Sequence, residues 1–245
     1  MSTPAQLVDM CCKVMATLLP YVDSLDGIPE HLGRKIFEHT NFNFQSLPLS
    51  ATPFVLFDHA YGSSFIHALR INPISNPAWI SWLPTLALSS SLQYLYLDNL
   101  NIDLHANALI PTIGQLTQLV RLSMRHNRLC NEDVRALTAA ARFSSSTCLR
   151  CIDLSGNGYL SEACLKPLMA LNRLSEIHCS DTGIAVSKNL KLPAHLSFVR
   201  RHVCSVSKPE HSGWFSEHVG CAVDGGQLLE PHFEDYLTLK KELSD

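Results

Sequence analysis

The chain has 245 residues, of which 46% are hydrophobic, and its 19 basic and 22 acidic residues leave a formal net charge of −3. A chain of this length and apolar content folds into one or two domains, which excludes wholesale disorder. The near balance of charge excludes the broad basic surface typical of nucleic-acid binding, so we expect no nucleic-acid partner.

The N-terminal sequence MSTPAQLVDM lacks the basic and apolar regions of a signal peptide. No apolar run reaches the length of about 20 residues that a membrane helix needs. The nine cysteines are odd in number and spread along the chain. Together these features predict an intracellular protein, cytoplasmic or nuclear, with free thiols and no membrane partner.

Residues 1–50 are predicted to form a helical N-terminal cap. Leu7, Cys11 and Met15 recur at helical spacing, and Pro20 ends that segment. A second, shorter helix follows SLDG. Pro29 is predicted to lie in its first turn, and Leu32, Ile36 and Phe37 are predicted to share one face.

A repeated pattern occupies the middle of the chain. Four segments align without gaps on L-x-x-L-x-L-x-x-N-x-L, and a weaker copy precedes them. The five first residues are Ile66, Leu92, Leu119, Leu149 and Leu174, at intervals of 25 to 30 residues. This is the pattern of the long leucine-rich repeats, in which a helix follows each strand. We therefore predict an α/β fold, a short leucine-rich-repeat solenoid of about five strand-helix repeats over residues 51–185.

The residue types of the pattern have a physical reason. Leucines two positions apart point to one side of a strand and form the core. Asn127 and Asn157, at the ninth position of two copies, are predicted to hydrogen-bond the backbone as the chain leaves the strand. Asn131 is predicted to cap the helix that begins there, ahead of Val134. The predicted inward helix residues are Leu109, Ile113 and Leu116; Val134, Leu137 and Ala141; and Cys164, Leu168 and Leu171.

Positions three, five and seven of each copy should line the opposite, concave face of the sheet. Tyrosine and arginine dominate the energetics of protein interfaces, so this face is the predicted binding surface. The predicted partner-binding residues are Tyr94, Tyr96, Asp98, Arg121, Arg125, Asp153, Glu176 and His178. The alternative is a solvated face without a partner.

Residues 186–245 are predicted to form a C-terminal cap and an irregular tail. Trp214 is expected to pack over the last repeat. The segment EDYLTLKKEL has Tyr236, Leu239 and Leu243 at helical spacing, which indicates a final amphipathic helix.

Metal and catalytic chemistry is predicted to be absent. Cys148 and Cys151 have metal-ligand spacing but no accompanying second pair. A second candidate zinc cluster comprises His202, Cys204, His211, His218 and Cys221. No P-loop, dinucleotide fingerprint or nucleophile elbow occurs. We expect a protein that is not an enzyme and has no cofactor and no metal, and a Cys/His metal-binding protein remains the least favoured alternative.

Four segments in order carry a wider resemblance: VDSLDGIPEHLGRKIF, AYGSSFIHALRI, IDLSGN and SDTGI, followed by SGW. They resemble the leucine-rich repeat-containing protein 42 family between about residues 20 and 215. The resemblance implies a protein without an assigned enzymatic activity. The chain is shorter at both ends than the vertebrate members of that family.

The N-terminal helices carry a second resemblance. Leu7-x-x-x-Cys11-x-x-x-Met15 resembles the box by which substrate receptors bind elongin B/C, and the segment from Ile28 to Ile36 resembles a cullin-2 box. Both boxes precede leucine-rich repeats in receptors of the Zyg-eleven type. Gln6 replaces the small residue usual before the leucine, and Met15 is not the commonest end residue. An F-box-like helix pair is the competing interpretation of IPEHLGRKIF.

The sequence thus favours a non-catalytic protein-protein interaction module that binds an unidentified protein on its concave face. The alternative is a substrate receptor of a cullin-2/elongin B/C ubiquitin ligase. Its docking residues would be Leu7, Cys11, Met15, Ile28, Pro29, Leu32 and Ile36.

Overall fold

The computed structural model describes residues 4–40, 51–72, 79–143, 147–184, 196–202, 212–219 and 233–239. The side chains of residues 140–143, 196–202 and 233–239 lie outside this description. The described hydrophobic core is one cluster that extends from Cys12 to Val219. The domain boundaries at residues 50 and 185 stay a prediction.

The N-terminal segment forms three helices: α1 (Pro4–Leu18), α2 (Glu30–His39) and α3 (Ala51–Tyr61). The first ends before Pro20, as the sequence predicts, because proline cannot donate to the preceding turn. The carboxylate of Asp9 on α1 lies 2.8 Å from Nε2 of His39 on α2 and 2.9 Å from Nζ of Lys13. The contact between Asp9 and His39 joins α1 to α2, whereas the contact with Lys13 lies within α1.

Five short parallel strands follow: β1 (Ala68–Arg70), β2 (Tyr94–Tyr96), β3 (Arg121–Ser123), β4 (Cys151–Asp153) and β5 (Glu176–His178). Each strand pairs with the next in chain order. Their middle residues are register partners and are all buried: Leu69, Leu95, Leu122, Ile152 and Ile177. The predicted core side of the strands is therefore confirmed.

Helices occupy the connections between strands: α4 (Trp79–Leu86), α5 (Ala106–Gly114), α6 (Asn131–Phe143) and α7 (Leu165–Met169). The predicted inward residues of these helices are buried, apart from Ala141, whose side chain lies outside the described set. The prediction that Asn131 caps α6 is wrong. Its side chain bonds the amide and hydroxyl of Ser161 in the next repeat, and Asp133 accepts from Cys130 N instead.

Two buried asparagines join successive repeats, as the sequence predicts. Asn127 Oδ1 accepts a hydrogen bond from Leu100 N at 2.8 Å, and its Nδ2 donates to Leu97 O at 2.6 Å. Asn157 Oδ1 accepts from Asn127 N at 2.9 Å and from Leu129 N at 3.0 Å. Each amide thus satisfies buried backbone groups of the preceding repeat that no strand partner reaches.

The sheet continues beyond β5 in the antiparallel sense. The order of the described strands is β1-β2-β3-β4-β5-β7-β6, with β6 at Leu196–His202 and β7 at Phe233–Leu239. The predicted final helix is wrong over its N-terminal part, because EDYLTL belongs to β7, in which Tyr236, Leu237 and Thr238 pair with the otherwise open edge of β5. Edge pairing satisfies a row of backbone groups, which outweighs a weak helical pattern. Leu243 lies outside the described residues.

The segment 212–219 contains α8 (Trp214–His218) and packs at the opposite end of the sheet. The prediction that Trp214 covers the last repeat is wrong. Its ring lies 4.8 Å from the ring of Phe65, beside β1, and 5.2 Å from that of Phe37 on α2. Aromatic residues of α2, of α3 and of the segment before β1 form the pocket that receives it: Phe37, Phe57, Tyr61 and Phe65.

Backbone contacts also close the free edge of β1. His67 N and Ala68 N donate to Ser212 O, and Ser216 Oγ donates to Ala68 O at 2.7 Å. Gly213 has a φ of +88° and lies against the backbone of Phe65. Segments from the C-terminal quarter of the chain therefore cover both outer edges of the parallel array, at β1 and at β5.

Within the described ranges, no helix combines the length and the apolar character that crossing a bilayer requires.

We predict that Asn157→Ala lowers the free energy of unfolding by about 3 kcal/mol or more, because it leaves several buried backbone groups without partners. Chemical denaturation monitored by circular dichroism measures the loss. Exposed Asn172, changed to Ala, is the matched control and should stay within about 0.5 kcal/mol of wild type. Equal losses in the two variants would contradict the structural role of the buried amide.

Gly213→Ala is predicted to destabilise the protein more than Gly27→Ala. Both glycines have positive φ, but a Cβ on Gly213 would lie 2.5 Å from Phe65 O, whereas one on Gly27 meets nothing within 4 Å. The strain of positive φ costs about 1–2 kcal/mol at either site, and only Gly213 adds a backbone clash. Thermal unfolding of the two variants should show the larger shift at Gly213, and a reversed order would contradict the closure at β1.

Candidate functional site

The strand register brings the predicted partner-binding residues onto one face of the sheet, which we call the outer face. One row, in strand order, is Ala68, Tyr94, Arg121, Cys151 and Glu176. The adjacent row is Arg70, Tyr96, Ser123, Asp153 and His178. Residues 25 to 30 positions apart in the sequence thereby become neighbours about 4.8 Å apart.

The aromatic part of the outer face is more enclosed than the sequence predicts. Tyr96 is only 4% exposed, so its prediction as a freely accessible residue is wrong. The guanidinium of Arg70 lies over its ring at 5.4 Å, and Arg121 interacts with it from the other side. Burial raises the pKa of Tyr96, with the two arginines partly opposing this rise. The sheet spacing explains the result, because long side chains on neighbouring strands cover the tyrosine between them.

Tyr94 is half-buried and has a neighbour that the repeat pattern does not reveal. The ring of His67 meets it edge-on, with 5.0 Å between centroids. His67 occupies position two of the weakest copy of the pattern, immediately before β1, and position two is not one of the predicted face positions. Tyr94 thus keeps one side towards the solvent while His67 packs against its ring.

Two aspartates of the outer face bond to the protein itself. Asp98 Oδ1 accepts from Ser123 Oγ at 2.6 Å and from Arg125 N at 3.0 Å. Asp153 Oδ1 accepts from Ser155 N at 3.0 Å, and its Oδ2 lies 3.9 Å from Arg125 Nε. Burial raises the pKa of Asp98, and the two hydrogen bonds only partly offset it. These carboxylates organise the strand ends and leave less capacity for a partner.

Three potential ligands converge between β4 and β5. The ligand atoms of Cys151, Glu176 and His178 all lie within 4.8 Å of one another. Arg121 Nε donates to Cys151 Sγ at 3.3 Å. A hydrogen bond from His178 lowers the pKa of Glu176, against the effect of burial.

His178 is 4% exposed, so its prediction as a surface contact is wrong. The reason is that β7 pairs with β5, which makes β5 an internal strand. The sequence already holds a signal for the convergence of Cys151, Glu176 and His178. Cys151 and Glu176 occupy position three of consecutive repeats, and His178 occupies position five, so all three share a face.

The structure describes the two candidate metal sites of the sequence analysis to different extents. Cys148 and Cys151 are free thiols, and Cys148 Sγ accepts from Arg173 Nη1 at 3.4 Å. In the second cluster, Cys204, His211 and Cys221 lie outside the described residues, as does the side chain of His202. The His218 ring packs edge-on against Phe37 at 5.1 Å.

The candidate elongin-box residues of α1 are largely accessible. Leu7 is 57% exposed and Cys11 is exposed, whereas Met15 packs partly against the core. Exposed apolar side chains recur at helical spacing along one side of α1 and form what we call the α1 stripe: Leu7, Met10, Cys11, Val14 and Leu18.

The candidate cullin-box residues belong mainly to the interior. Ile36 is 3% exposed, and Ile28 and Leu32 pack partly against the core. Pro29 is exposed at the start of α2. The apolar pattern of α2 therefore serves packing in this structure, and only α1 presents its pattern to the outside.

Five parallel strands, intervening helices and the leucine pattern define a mixed α/β protein with leucine-rich sequence repeats. The chain is similar to leucine-rich repeat-containing protein 42 of Danio rerio, with 28% identity over 191 residues. The match covers 76% of this chain and 46% of the relative, so the chain spans about half the length of that protein.

No family model matches the chain. No solved structure matches it either. The resemblance to the leucine-rich repeat-containing protein 42 family is thus supported at a distant level. The resemblance to receptors of the Zyg-eleven type finds no support in these comparisons.

We predict that Asp98→Asn is more stable than wild type at high pH. The difference between their free energies of unfolding should grow as the pH rises. The folded-state pKa lies above the unfolded value of about 3.8, so wild-type stability falls from that pH through the raised pKa. Asparagine keeps the shape and cannot ionise. The difference in free energy of unfolding between the variant and wild type should increase between the unfolded-state pKa and the raised folded-state pKa. Above the folded-state pKa it should stay constant.

Urea denaturation at a series of pH values measures this difference. A difference that decreases as the pH rises would show that the buried carboxylate is stabilised in its charged form.

Proposed function

We propose that this protein is a non-catalytic protein-protein interaction module that binds its partner on the outer face. In this proposal the repeats form a leucine-rich-repeat solenoid, and the outer face is its concave side. The observation that carries the proposal is the alignment of tyrosine, arginine and carboxylate side chains in two continuous rows along that face.

The chemistry of these rows supports protein binding. Tyr94 on β2, Arg121 on β3 and Arg125 just after β3 are partly exposed, and Arg125 keeps 23% of its side-chain surface accessible. Their internal contacts restrict the rotamers before a partner arrives, which reduces the entropy lost on binding. Tyrosine and arginine anchors of this kind account for most of the affinity in known interfaces.

Charge along the face favours a particular orientation of the partner. Arg70 lies on β1, Arg121 on β3 and Arg125 just after β3. Asp153 and Glu176 lie on β4 and β5. A partner with an acidic region towards β1 and a basic region towards β5 would complement this arrangement. Such complementarity sets binding orientation and association rate more than affinity.

Further expectations accompany this proposal. The protein would act inside the cell, in the cytoplasm or the nucleus, where its thiols stay reduced. The free state of Cys11, Cys130 and Cys148, which are not fully buried, agrees with that setting. The name of the zebrafish relative indicates leucine-rich repeats, which are typical of interaction proteins.

The double variant Tyr94→Ala/Arg125→Ala is predicted to weaken partner binding at least 100-fold, because it removes two partly exposed anchors. Tyr96 is left intact, since its burial makes it a stability determinant. Leu104→Ala, at an exposed position before α5, is the matched control and should retain binding.

Partners are captured on the full chain from cell extract, and the affinity of each purified candidate is then measured by calorimetry. Equal affinity of the wild type and the double variant for every captured partner would contradict the assignment of the outer face.

We propose a second candidate function, that of a substrate receptor docking on elongin B/C through α1. The specific observation in its favour is the α1 stripe, an apolar helix face that includes both Leu7 and Cys11. An amphipathic helix that presents anchors at i and i+4 can enter a hydrophobic groove. The burial of Ile36 weighs against simultaneous use of the cullin-2 box in this conformation.

If the second candidate function holds, purified elongin B/C binds the wild-type chain and does not bind the double variant Leu7→Ala/Cys11→Phe. Tyr21→Ala, also at an exposed position near α1, is the control. Size-exclusion chromatography with light scattering detects the complex. Absence of a complex with wild type would remove the receptor hypothesis and leave the outer-face proposal intact.

A further inference from the structure

We infer that Cys151, Glu176 and His178 form a zinc-binding site on the outer face between β4 and β5. Their ligand atoms already lie within 4.8 Å of one another. The site shares Cys151, but not Cys148, with the cysteine pair suggested by the sequence, and it shares no residue with the C-terminal cysteine and histidine cluster. It is also independent of the identity of any protein partner.

The backbone explains why these three side chains meet. Cys151 and Glu176 are register partners in the parallel pair β4–β5. His178 lies two residues beyond Glu176 on the same strand, and alternate side chains of a strand share a face. Because paired residues on strands hold this arrangement, the site does not depend on a loop conformation.

The donor set selects the ion. A thiolate, an imidazole and a carboxylate suit zinc, whereas magnesium and calcium prefer oxygen ligands alone. Three protein ligands leave the fourth tetrahedral position to water. The carboxylate is the accessible ligand, because the Glu176 side chain is 46% exposed, while Cys151 and His178 are buried.

One of the three ligand distances is already close to that of a zinc site. His178 Nε2 lies 3.7 Å from Glu176 Oε2. Two nitrogen or oxygen ligands of a tetrahedral zinc ion lie about 3.3 Å apart, given bond lengths of about 2.0–2.1 Å. Rotation of the half-exposed Glu176 side chain can close this gap without movement of either strand.

Neighbouring groups complete the electrostatic case. Arg121 Nε donates to Cys151 Sγ at 3.3 Å, the kind of contact that orients a metal-bound thiolate. The positive charge of Arg121 opposes the ion, and Asp153, the register partner of His178, offsets that charge. The Cys151 thiolate, Glu176 and Asp153 carry three negative charges, against the positive charges of Arg121 and of Arg125, which lies 3.9 Å from Asp153. The group keeps a net negative charge, which favours a cation.

Cobalt(II) provides the test, because thiolate coordination gives a charge-transfer band and tetrahedral geometry gives strong visible absorption. The full chain is titrated with cobalt under a phosphine reductant, and zinc is then added in competition. We expect one equivalent of cobalt with both spectral features, displaced by zinc and not by magnesium. No stoichiometric binding, or octahedral spectra without the thiolate band, would overturn the inference.

Variants then locate the site. Cys151→Ser should abolish the charge-transfer band, and Glu176→Gln should weaken zinc binding at least about tenfold while retaining the fold. Cys148→Ser is the matched control and should leave both unchanged. Glu176→Gln serves even if Cys151→Ser unfolds, because its side chain is half exposed. Binding that survives Glu176→Gln at full affinity, or that is lost only in Cys204→Ser/Cys221→Ser, would place the ion elsewhere and refute the site.

Discussion

The side-chain amides of Asn127 and Asn157 are the interaction on which the sheet depends. Each side-chain oxygen accepts a hydrogen bond from a backbone N–H of the preceding repeat, and each side-chain nitrogen donates to a backbone carbonyl there. These bonds lie where the chain leaves its strand. These backbone groups are buried, and each unsatisfied one would cost about 1–3 kcal/mol. The amides therefore fix both the turn and the offset between repeats, and Asn131 adds a further link through Ser161.

A fixed offset between repeats also creates the outer face. Residues such as Arg121, Cys151 and Glu176 come from three separate repeats and become neighbours only because their strands are in register. Their closeness has a consequence for binding. Side chains that already contact one another, as Arg70 contacts Tyr96, offer fewer atoms to a partner but hold a more defined surface.

The C-terminal quarter of the chain solves the problem that every short repeat array has at its ends. Exposed strand edges and open core surfaces promote aggregation. Here β7 pairs with β5, while Ser212 accepts from the edge of β1 and Trp214 enters the aromatic cluster around Phe65. One segment of sequence thus closes both ends, and in doing so it buries His178 and supports the N-terminal helices.

The sequence by itself determined the repeats, the inward leucines, the role of Asn127 and Asn157, and the first two helices. These features follow from local periodicity, which a single chain displays directly. Tertiary structure alone decided the burial of Tyr96 and His178, the strand at Phe233–Leu239 and the place of Trp214. Those outcomes depend on contacts between residues far apart in the chain, and side-chain patterns within one segment carry no information about which distant edge or pocket that segment will fill.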